Sequence, residues 1–393
     1  MTELQQLINE LCPNGVKFVA LEECCKILDN KRKPVTKAAR QAGEYPYYGA
    51  NGIQDYVSDY IFDGIFVLVG EDGSVVTPSG NPVVNWATGK IWVNNHAHII
   101  EEKDGVLLRY LYHYLQTVNV SALIHGNIPK LTGGDFRAIK IPVPPLPVQS
   151  EIVRILDNFT ELTAELTAEL TAELTARKQQ YAHYRDTLLK LDNNVPSYTL
   201  KDICLSIADG DHMPPPKADS GVPFITISNI TETRQIDFSN VMYVPREYYD
   251  KLADKRKAKR DDILYTVVGS FGIPVHISSK TEFVFQRHIA ILRPNQQKIV
   301  PRYMYHIMQS TEFYKQADKA AKGAAQRTIG LSSLGNMTIP LPSIEEQKRI
   351  VAILDRFDTL CNDISVGLPA EIVARQKQYE YYRDKLLTFE PAK

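Results

Sequence analysis

The chain has 393 residues, 44% of them apolar and 23% charged, with a formal net charge of −1. Such a length predicts two to three domains rather than one core. No apolar run is long enough for a membrane span, and the start, Met1-Thr2-Glu3-Leu4, lacks the basic-then-apolar pattern of a secretory leader. Cys12, Cys24, Cys25, Cys204 and Cys361 form no Cys-x-x-Cys pair, which disfavours a disulfide framework or a zinc site and predicts reduced thiols in a cytoplasmic protein. Near-neutral charge counts against a nucleic-acid binder until its distribution is considered. Residues 197–342 carry 19 Lys and Arg against 14 Asp and Glu, residues 1–150 carry 13 against 15, and residues 151–196 carry 5 against 8. Positive charge is concentrated in one stretch; a DNA reader can be neutral overall if its basic groups line one face, and the sequence does not show that face.

Residues 1–147 read as a first globular block. Short β-rich runs such as Gly64–Val69 alternate with turns rich in Gly, Pro, Asn and Asp, and a helix carrying Arg109-Tyr110-Leu111-Tyr112-His113 follows late. Residues 148–194 predict a long helix. Beyond the proline-rich 142–147, Val148, Ile152, Ile155, Leu156 and Phe159 form an apolar stripe, and 163–174 is three perfect Thr-Ala-Glu-Leu tetrapeptides. A period of four overshoots 3.6, so the leucines drift about 40° per repeat; a plain spacer and a length-setting element both fit. Residues 195–342 form a second block, with a β-rich run at Asp262–Val268 and Arg302-Tyr303-Met304-Tyr305-His306 late in it. Residues 343–393 predict a second long helix. Ser343 and Glu346 predict a capping box, Ile350, Ile353, Leu354 and Phe357 repeat the stripe, and Gly367-Leu368-Pro369 predict a kink or break at 367–369.

The second half repeats the first. Ile141-Pro142-Val143-Pro144 returns as Ile339-Pro340-Leu341-Pro342, Ile155-Leu156-Asp157 as Ile353-Leu354-Asp355, and Tyr184-Arg185-Asp186 as Tyr382-Arg383-Asp384, each 198 positions on. In the blocks the offset wanders, 193 for the Arg-Tyr-x-Tyr-His helix and 179 for Leu21 and Cys25 against Leu200 and Cys204. Loops have changed length while the helix has not, so helix length is the guarded quantity. Two copies in one chain imply an approximate internal twofold axis, with duplex DNA the leading twofold partner. The expected fold is α+β: two mixed α/β domains joined by two long antiparallel helices with pseudo-twofold symmetry. Each apolar stripe is expected to pack on the other helix, and roughly 40 residues at about 1.5 Å each make a rod of about 60 Å.

The paired Ile-Pro-x-Pro…Ile-Leu-Asp entrances, the paired Gln-Tyr-x-x-Tyr-Arg-Asp exits (Gln180 to Asp186, Gln378 to Asp384) and the tetrapeptides together resemble the specificity subunit of type I restriction–modification systems. The tetrapeptide run is similar to the type IC subgroup. The resemblance covers essentially the whole chain. It implies a non-catalytic subunit whose blocks are target-recognition domains, each reading half of a split, asymmetric site in double-stranded DNA. It implies as partners two modification subunits docked on the helices, plus restriction subunits in the full complex. S-adenosylmethionine, ATP and Mg2+ are implied for those partners, with no cofactor, metal or catalytic residue in this chain and no membrane association. The residues agree: no Gly-x-Gly-x-x-Gly follows a strand, no P-loop occurs, and Asp211-His212-Met213-Pro214-Pro215 only superficially resembles a methylation motif. The alternative is a coiled-coil interaction scaffold that reads no DNA.

Candidate DNA contacts follow from side-chain chemistry. Lys31, Arg32, Lys33 and Lys37 form a basic loop ahead of Tyr47, Tyr48 and Asn51; cations neutralise phosphates and Asn pairs with adenine. Ser74 and Ser270 lie in matched turns after a strand, and Asn94 and Asn95 match Arg287, just before His96 and His288. Asn127 and Lys130 in one block, and Gln326 and Arg327 in the other, precede the segment leading to the long helix, and Lys217 and Asn229 complete the set. For each, an ordinary solvated loop or a structural turn is the competing reading; His96 and His288 read better as structural. Tyr181, Tyr184, Arg185, Tyr379, Tyr382 and Arg383 sit at helical spacing near the rod's ends. They suit either docking of a modification subunit or packing against a globular block.

Overall fold

A computed structural model gives the fold and describes residues 3–73, 75–192, 194–210, 215–324, 326–362 and 367–392. The chain divides into two compact units, Met1–Thr167 with Ala374–Lys393, and Ala168–Val373. Each unit holds one block, the beginning of the helix that follows that block, and the end of the other helical stretch.

In the first unit, apolar runs build a six-stranded mixed sheet. Its order is Cys25–Ile27, Ala97–Glu102, Phe62–Gly70, Val84–Val93, Ala42–Gly49, Gly52–Val57. All neighbours are antiparallel except Ala42–Gly49 beside Val84–Val93, where Tyr47 lies parallel to Trp92. The second unit repeats this in broken form. Cys204–Asp209, Ile289–Pro294, Ile263–Thr266 and Pro274–His276 make one sheet, and Met242–Val244, Val222–Ile225 and Val284–Phe285 another. The same parallel step recurs at Phe224 beside Val284. Where the first block has one ten-residue strand, Val84–Val93, the second has two short ones, and one sheet becomes two.

The late helix of each block is locked to the start of the helix that follows by the same polar clamp. Arg109 Nε donates to Asp157 at 2.8 Å, and His113 Nε2 meets the same oxygen at 2.7 Å. Their twins are Arg302 Nε to Asp355 at 2.9 Å and His306 Nε2 to Asp355 at 2.6 Å. The Tyr110 hydroxyl donates to the Pro142 carbonyl and that of Tyr303 to the Pro340 carbonyl, both at 2.9 Å. Gln149, fully buried, accepts from Leu107 N–H and donates to the Pro144 and Gly105 carbonyls; Gln347 repeats all three bonds with Val300, Pro342 and Lys298. The buried tyrosine and glutamine side chains find these partners away from water, which is what permits their burial.

The twins part at one point. Tyr181, in the second unit's core, has its hydroxyl 2.8 Å from His306 Nδ1. Its twin Tyr379, half-buried, meets the Thr160 hydroxyl at 3.0 Å instead, and the buried His113 Nδ1 makes no hydrogen bond among the described residues. Thr160 stands where the second copy has Asp358, which binds Arg302 at 2.7 Å.

The first long helix, Leu146–Leu188, has 43 residues and begins with Pro147 in its first turn, where a missing N–H costs nothing. The second stretch is two helices, Ile344–Asn362 and Leu368–Leu386; Pro369 opens the latter, and the Gly367 carbonyl accepts its first backbone bonds. Ser343 caps as expected, accepting from Glu346 N–H at 3.3 Å, but the Glu346 carboxylate pairs with Arg349 at 2.6 Å rather than closing the box. The stripes also find a different partner from the one expected. Val148, Ile152 and Leu156 join the first block's core, and Ile350 and Leu354 the second's, because each block offers a continuous apolar surface. Residues of the other helix share these clusters, Leu386 in the first and Tyr181 and Leu174 in the second, and the stripes' last members stack on it: Phe159 lies 6.0 Å from Tyr382, and Phe357 5.4 Å from Tyr184. In the first unit, Phe159–Tyr382 and Thr160–Tyr379 place the two helices antiparallel. No helix among the described residues is long and apolar enough to cross a membrane.

Two buried imidazoles, His113 and His306, and the half-buried His276 are expected to make the fold acid-sensitive. Burial pushes His113, His276 and His306 below the usual histidine range, and pairing with Asp157, Asp261 and Asp355 only partly opposes it. Each takes up a proton less readily folded than unfolded. Their stabilisation is therefore full above about pH 6.5 and declines as pH falls through the ordinary histidine range toward the folded values. Asp355 adds nothing in that window. Burial would raise its carboxyl, but His306 and Arg302 hold it below the usual value, so its contribution fades only below about pH 4. The urea midpoint is expected to be lower at pH 5.5 than at pH 7.5, and a midpoint that holds or rises on acidification would contradict this.

Candidate nucleic-acid interface

Three loops meet at one end of each sheet. In the first block, strand Phe62–Gly70 runs into the turn 71–73. Glu71 N–H donates to the His96 carbonyl at 2.8 Å, Leu131 N–H to the Glu71 carbonyl at 2.8 Å, and Gly73 N–H to the Pro129 carbonyl at 2.9 Å. In the second, Val267 N–H donates to the His288 carbonyl at 2.9 Å, Ile329 N–H to the Val267 carbonyl at 2.8 Å, and Gly269 N–H to the Arg327 carbonyl at 3.0 Å. Asp72 bridges Lys130 as Val268 bridges Thr328. The turn requires a left-handed residue at the same place in both, met by Gly73 (φ +85°) and Gly269 (φ +70°). The wandering offsets of the sequence thus resolve into one backbone frame with different side chains on it.

The frame gathers residues far apart in sequence. In the first block Asn51, Asn95, Asn127 and Lys130 are exposed, as are Lys31, Lys33 and Lys37 of the basic loop. That loop is tied to the frame, since Lys33 N–H donates to the Val93 carbonyl at 3.2 Å. In the second block Ser270, Arg287 and Gln326 are exposed, and Lys217 is exposed elsewhere on the block. Arg327 is half-exposed, paired with Asp318 at 2.7 Å and lying 5.1 Å over the Phe271 ring. Ser74 and the Asp211–Pro214 stretch lie outside the described residues.

Several expected contacts are committed to the interior instead. Arg32 points inward, donating to Glu71 at 2.6 Å, the Ala97 carbonyl at 2.7 Å and the Asp29 carbonyl at 2.9 Å. Tyr47 is buried, its hydroxyl bonded to the Val35 N–H and carbonyl, and Tyr48 is buried in the apolar core. Asn94, buried, accepts from His96 N–H and donates to Gln54. Asn229, also buried, accepts from Thr226 N–H and donates to the Asp237 and Asn240 carbonyls. Tyr48 apart, each of these side chains pairs backbone groups of a turn or loop that would otherwise go unpaired. On the helices, Tyr181 and Arg185 are buried against the second block, whereas Tyr184 and Tyr382 are exposed, Tyr379 is half-buried, and Arg383 is paired with Asp384.

Beneath the first frame runs a charge network. His98 Nδ1 lies 2.7 Å from Asp29 and its Nε2 3.0 Å from the Leu131 carbonyl, with the ring stacked 4.2 Å from Phe136. Burial would raise the Asp29 carboxyl, but bonds from His98 and Ile99 N–H and the Arg32 charge hold it below the usual carboxylate range. Asp29, Glu71 and His98 place three possible ligand atoms within 4.8 Å of one another. Arg32 and Lys130, 2.6 and 3.1 Å from Glu71, already neutralise that cluster. Its contacts join the loop at Asp29 and Arg32 to the turn at Glu71 and to the Leu131 carbonyl. Sequence reasoning passed over Gln54 and Ile128 and took His96 as structural; all three are exposed at the frame. An apolar Ile128 amid polar loop residues was the available signal.

The chain has relatives throughout its length. A family model for the type I restriction modification DNA specificity domain matches twice, at residues 13–176 and 193–374. A putative type I restriction enzyme specificity subunit of Haemophilus influenzae is 39% identical over 386 residues, covering 95% of this chain and 96% of that protein. A type I restriction enzyme specificity subunit of Escherichia coli is 36% identical over 307 residues, covering 73% and 72%. A chain solved in work on complex assembly and conformational transition of the type I R-M system superposes with a TM-score of 0.61 at 16% identity, covering 95% of this chain and 98% of that one, a likeness of fold.

Proposed function

The chain belongs to the type I restriction modification DNA specificity family, and from that premise we propose that each block reads one half of a split, asymmetric DNA site. The twin three-loop frames carry this reading. One backbone arrangement presents Asn51, Asn95, Asn127 and Lys130 in the first copy and Ser270, Arg287 and Gln326 in the second, so the two half-sites differ while the mode of approach is shared. Lys31, Lys33, Lys37 and Lys217 hold the register through phosphates, and the frame residues read base edges. The long helices set the distance between the half-sites. Tyr184 and Tyr382, exposed beside Phe357 and Phe159, suit the docking of two modification subunits.

This chain contributes recognition. Methyl transfer from S-adenosylmethionine to adenine, and ATP- and Mg2+-dependent cleavage, belong to the modification and restriction subunits of a cytoplasmic complex. Replacing residues 1–147 by the corresponding block of another family member tests the proposal. Mapping methylated adenines in cells carrying the whole system is expected to show one half-site changed and the other kept. A change in both halves would contradict modular reading, and methylated sites indifferent to either block would favour a scaffold.

A further inference from the structure

We propose that the first block reads a G·C base pair with Asp72 and Lys130. The inference rests on the reading that this frame faces DNA. The two side chains border a concavity of about 550 Å³ whose wall also includes Asn51, Gln54, His96 and Ile128. Both are built in rather than dangling. Asp72 gives one carboxylate oxygen to His96 Nδ1, while its other oxygen lies 3.9 Å from Lys130 Nζ, too far for a hydrogen bond between them. Lys130 Nζ is ion-paired with Glu71 at 3.1 Å, and Glu71 is itself held from behind by Arg32. The ammonium donors and one carboxylate oxygen therefore stand side by side at the rim of the concavity.

That pattern complements one base pair. In the major groove guanine offers two adjacent acceptors, N7 and O6, and cytosine offers the N4 amino donor beside them. The ammonium meets the two acceptors and the carboxylate the donor. An A·T pair places its donor between two acceptors, so the same ammonium cannot take both without displacing the carboxylate. At the aligned positions of the second block stand Val268 and Thr328, in the same backbone bridge, which offer neither charge. The device is confined to one half-site.

The test uses the complete system carrying Asp72→Asn, or the double change Asp72→Val with Lys130→Thr, whose side chains the same bridge already accommodates in the second block. Methylated-site mapping is paired with competition binding against duplexes altered at single base pairs. Preference for G·C at one position of the first half-site is expected to fall by about tenfold or more, with every other position and the whole second half-site unchanged. Retention of the full motif by both variants overturns the proposal, as does loss of preference at an A·T position. A folded complex with evenly weakened binding and an intact preference also overturns it. Exchange of residues 1–147 separates this from the parent reading. If the exchange alters one half-site and the point variants alter nothing, only the Asp72–Lys130 assignment falls; if the exchange alters nothing, the parent reading falls.

Discussion

Deletion of Thr171–Leu174 is expected to shorten the unspecified spacer of the methylated site by one base pair, leaving both half-sites as they were. Four residues remove about 6 Å of helix and 400° of rotation, which is about 40° beyond a full turn. One base pair of duplex accounts for about 3.4 Å and, at 10 to 10.5 pairs per turn, for about 35°. The rotations nearly match, both helices being right-handed, whereas the translations differ and must be absorbed by tilt. Angular phase is therefore the quantity a tetrapeptide conserves, and a four-residue period is the one that steps the face of an α-helix by about a base pair. Packing permits the change, since Leu166, Leu170 and Leu174 are only half-buried and Leu162 is 60% exposed. Deleting two residues, Thr171 and Ala172, turns the helix by about 200°. That variant is expected to lose methylation at every spacer, in maps taken with the modification partner present. An unaltered spacer after the four-residue deletion, or normal activity after the two-residue one, would refute the angular argument.

Much of this arrangement was legible because the second copy acts as a control on the first. A fixed offset of 198 in the helices and a drifting one in the blocks located the elements that cannot change length. The clamp residues Arg109, His113 and Asp157 stood out as a repeated set before their contacts were visible. Matched turns likewise marked three loops that the fold brings together. Which loop side chains reach solvent was not legible. Arg32 and Lys33 are adjacent cations, yet one closes a buried carboxylate network and the other lies outside; only the partner at Glu71, 39 positions on, separates them. Asn94 and Asn95 differ in the same way, because an amide that completes a turn and one that meets water are written with the same letter. The apolar stripes announced burial without naming their partner, since Val148 and Ile152 satisfy a helix or a block equally well. The contrast between Tyr181 and Tyr379 was hidden because the tyrosines are identical in the two copies and only their partners differ, Thr160 standing where the other copy has Asp358.

That substitution makes the two clamps unequal under mutation. Asp355→Ala removes a carboxylate bound by Arg302 and His306, yet Arg302 keeps Asp358 at 2.7 Å and His306 keeps Tyr181 at 2.8 Å. Asp157→Ala takes more away. Arg109 loses its only carboxylate among the described residues, retaining the Trp86 and Tyr112 rings at 4.7 and 4.6 Å. His113, whose Nδ1 has no partner among the described residues, loses the one hydrogen bond it makes with them while fully buried. Leaving a buried polar group wholly unpaired costs more than weakening a network that keeps a second member. Asp157→Ala is expected to cost about 3 kcal/mol, and Asp355→Ala about 2, at and below the low end for buried pairs because both carboxylates are partly exposed. Adding His113→Leu to the Asp157→Ala variant removes the orphaned imidazole and is expected to restore about 1 kcal/mol. Urea unfolding of the four proteins measures all three values. An Asp355→Ala loss that equals or exceeds that of Asp157→Ala, or a double variant no more stable than Asp157→Ala alone, would show that the missing tyrosine contact does not decide how firmly the first block holds its helix.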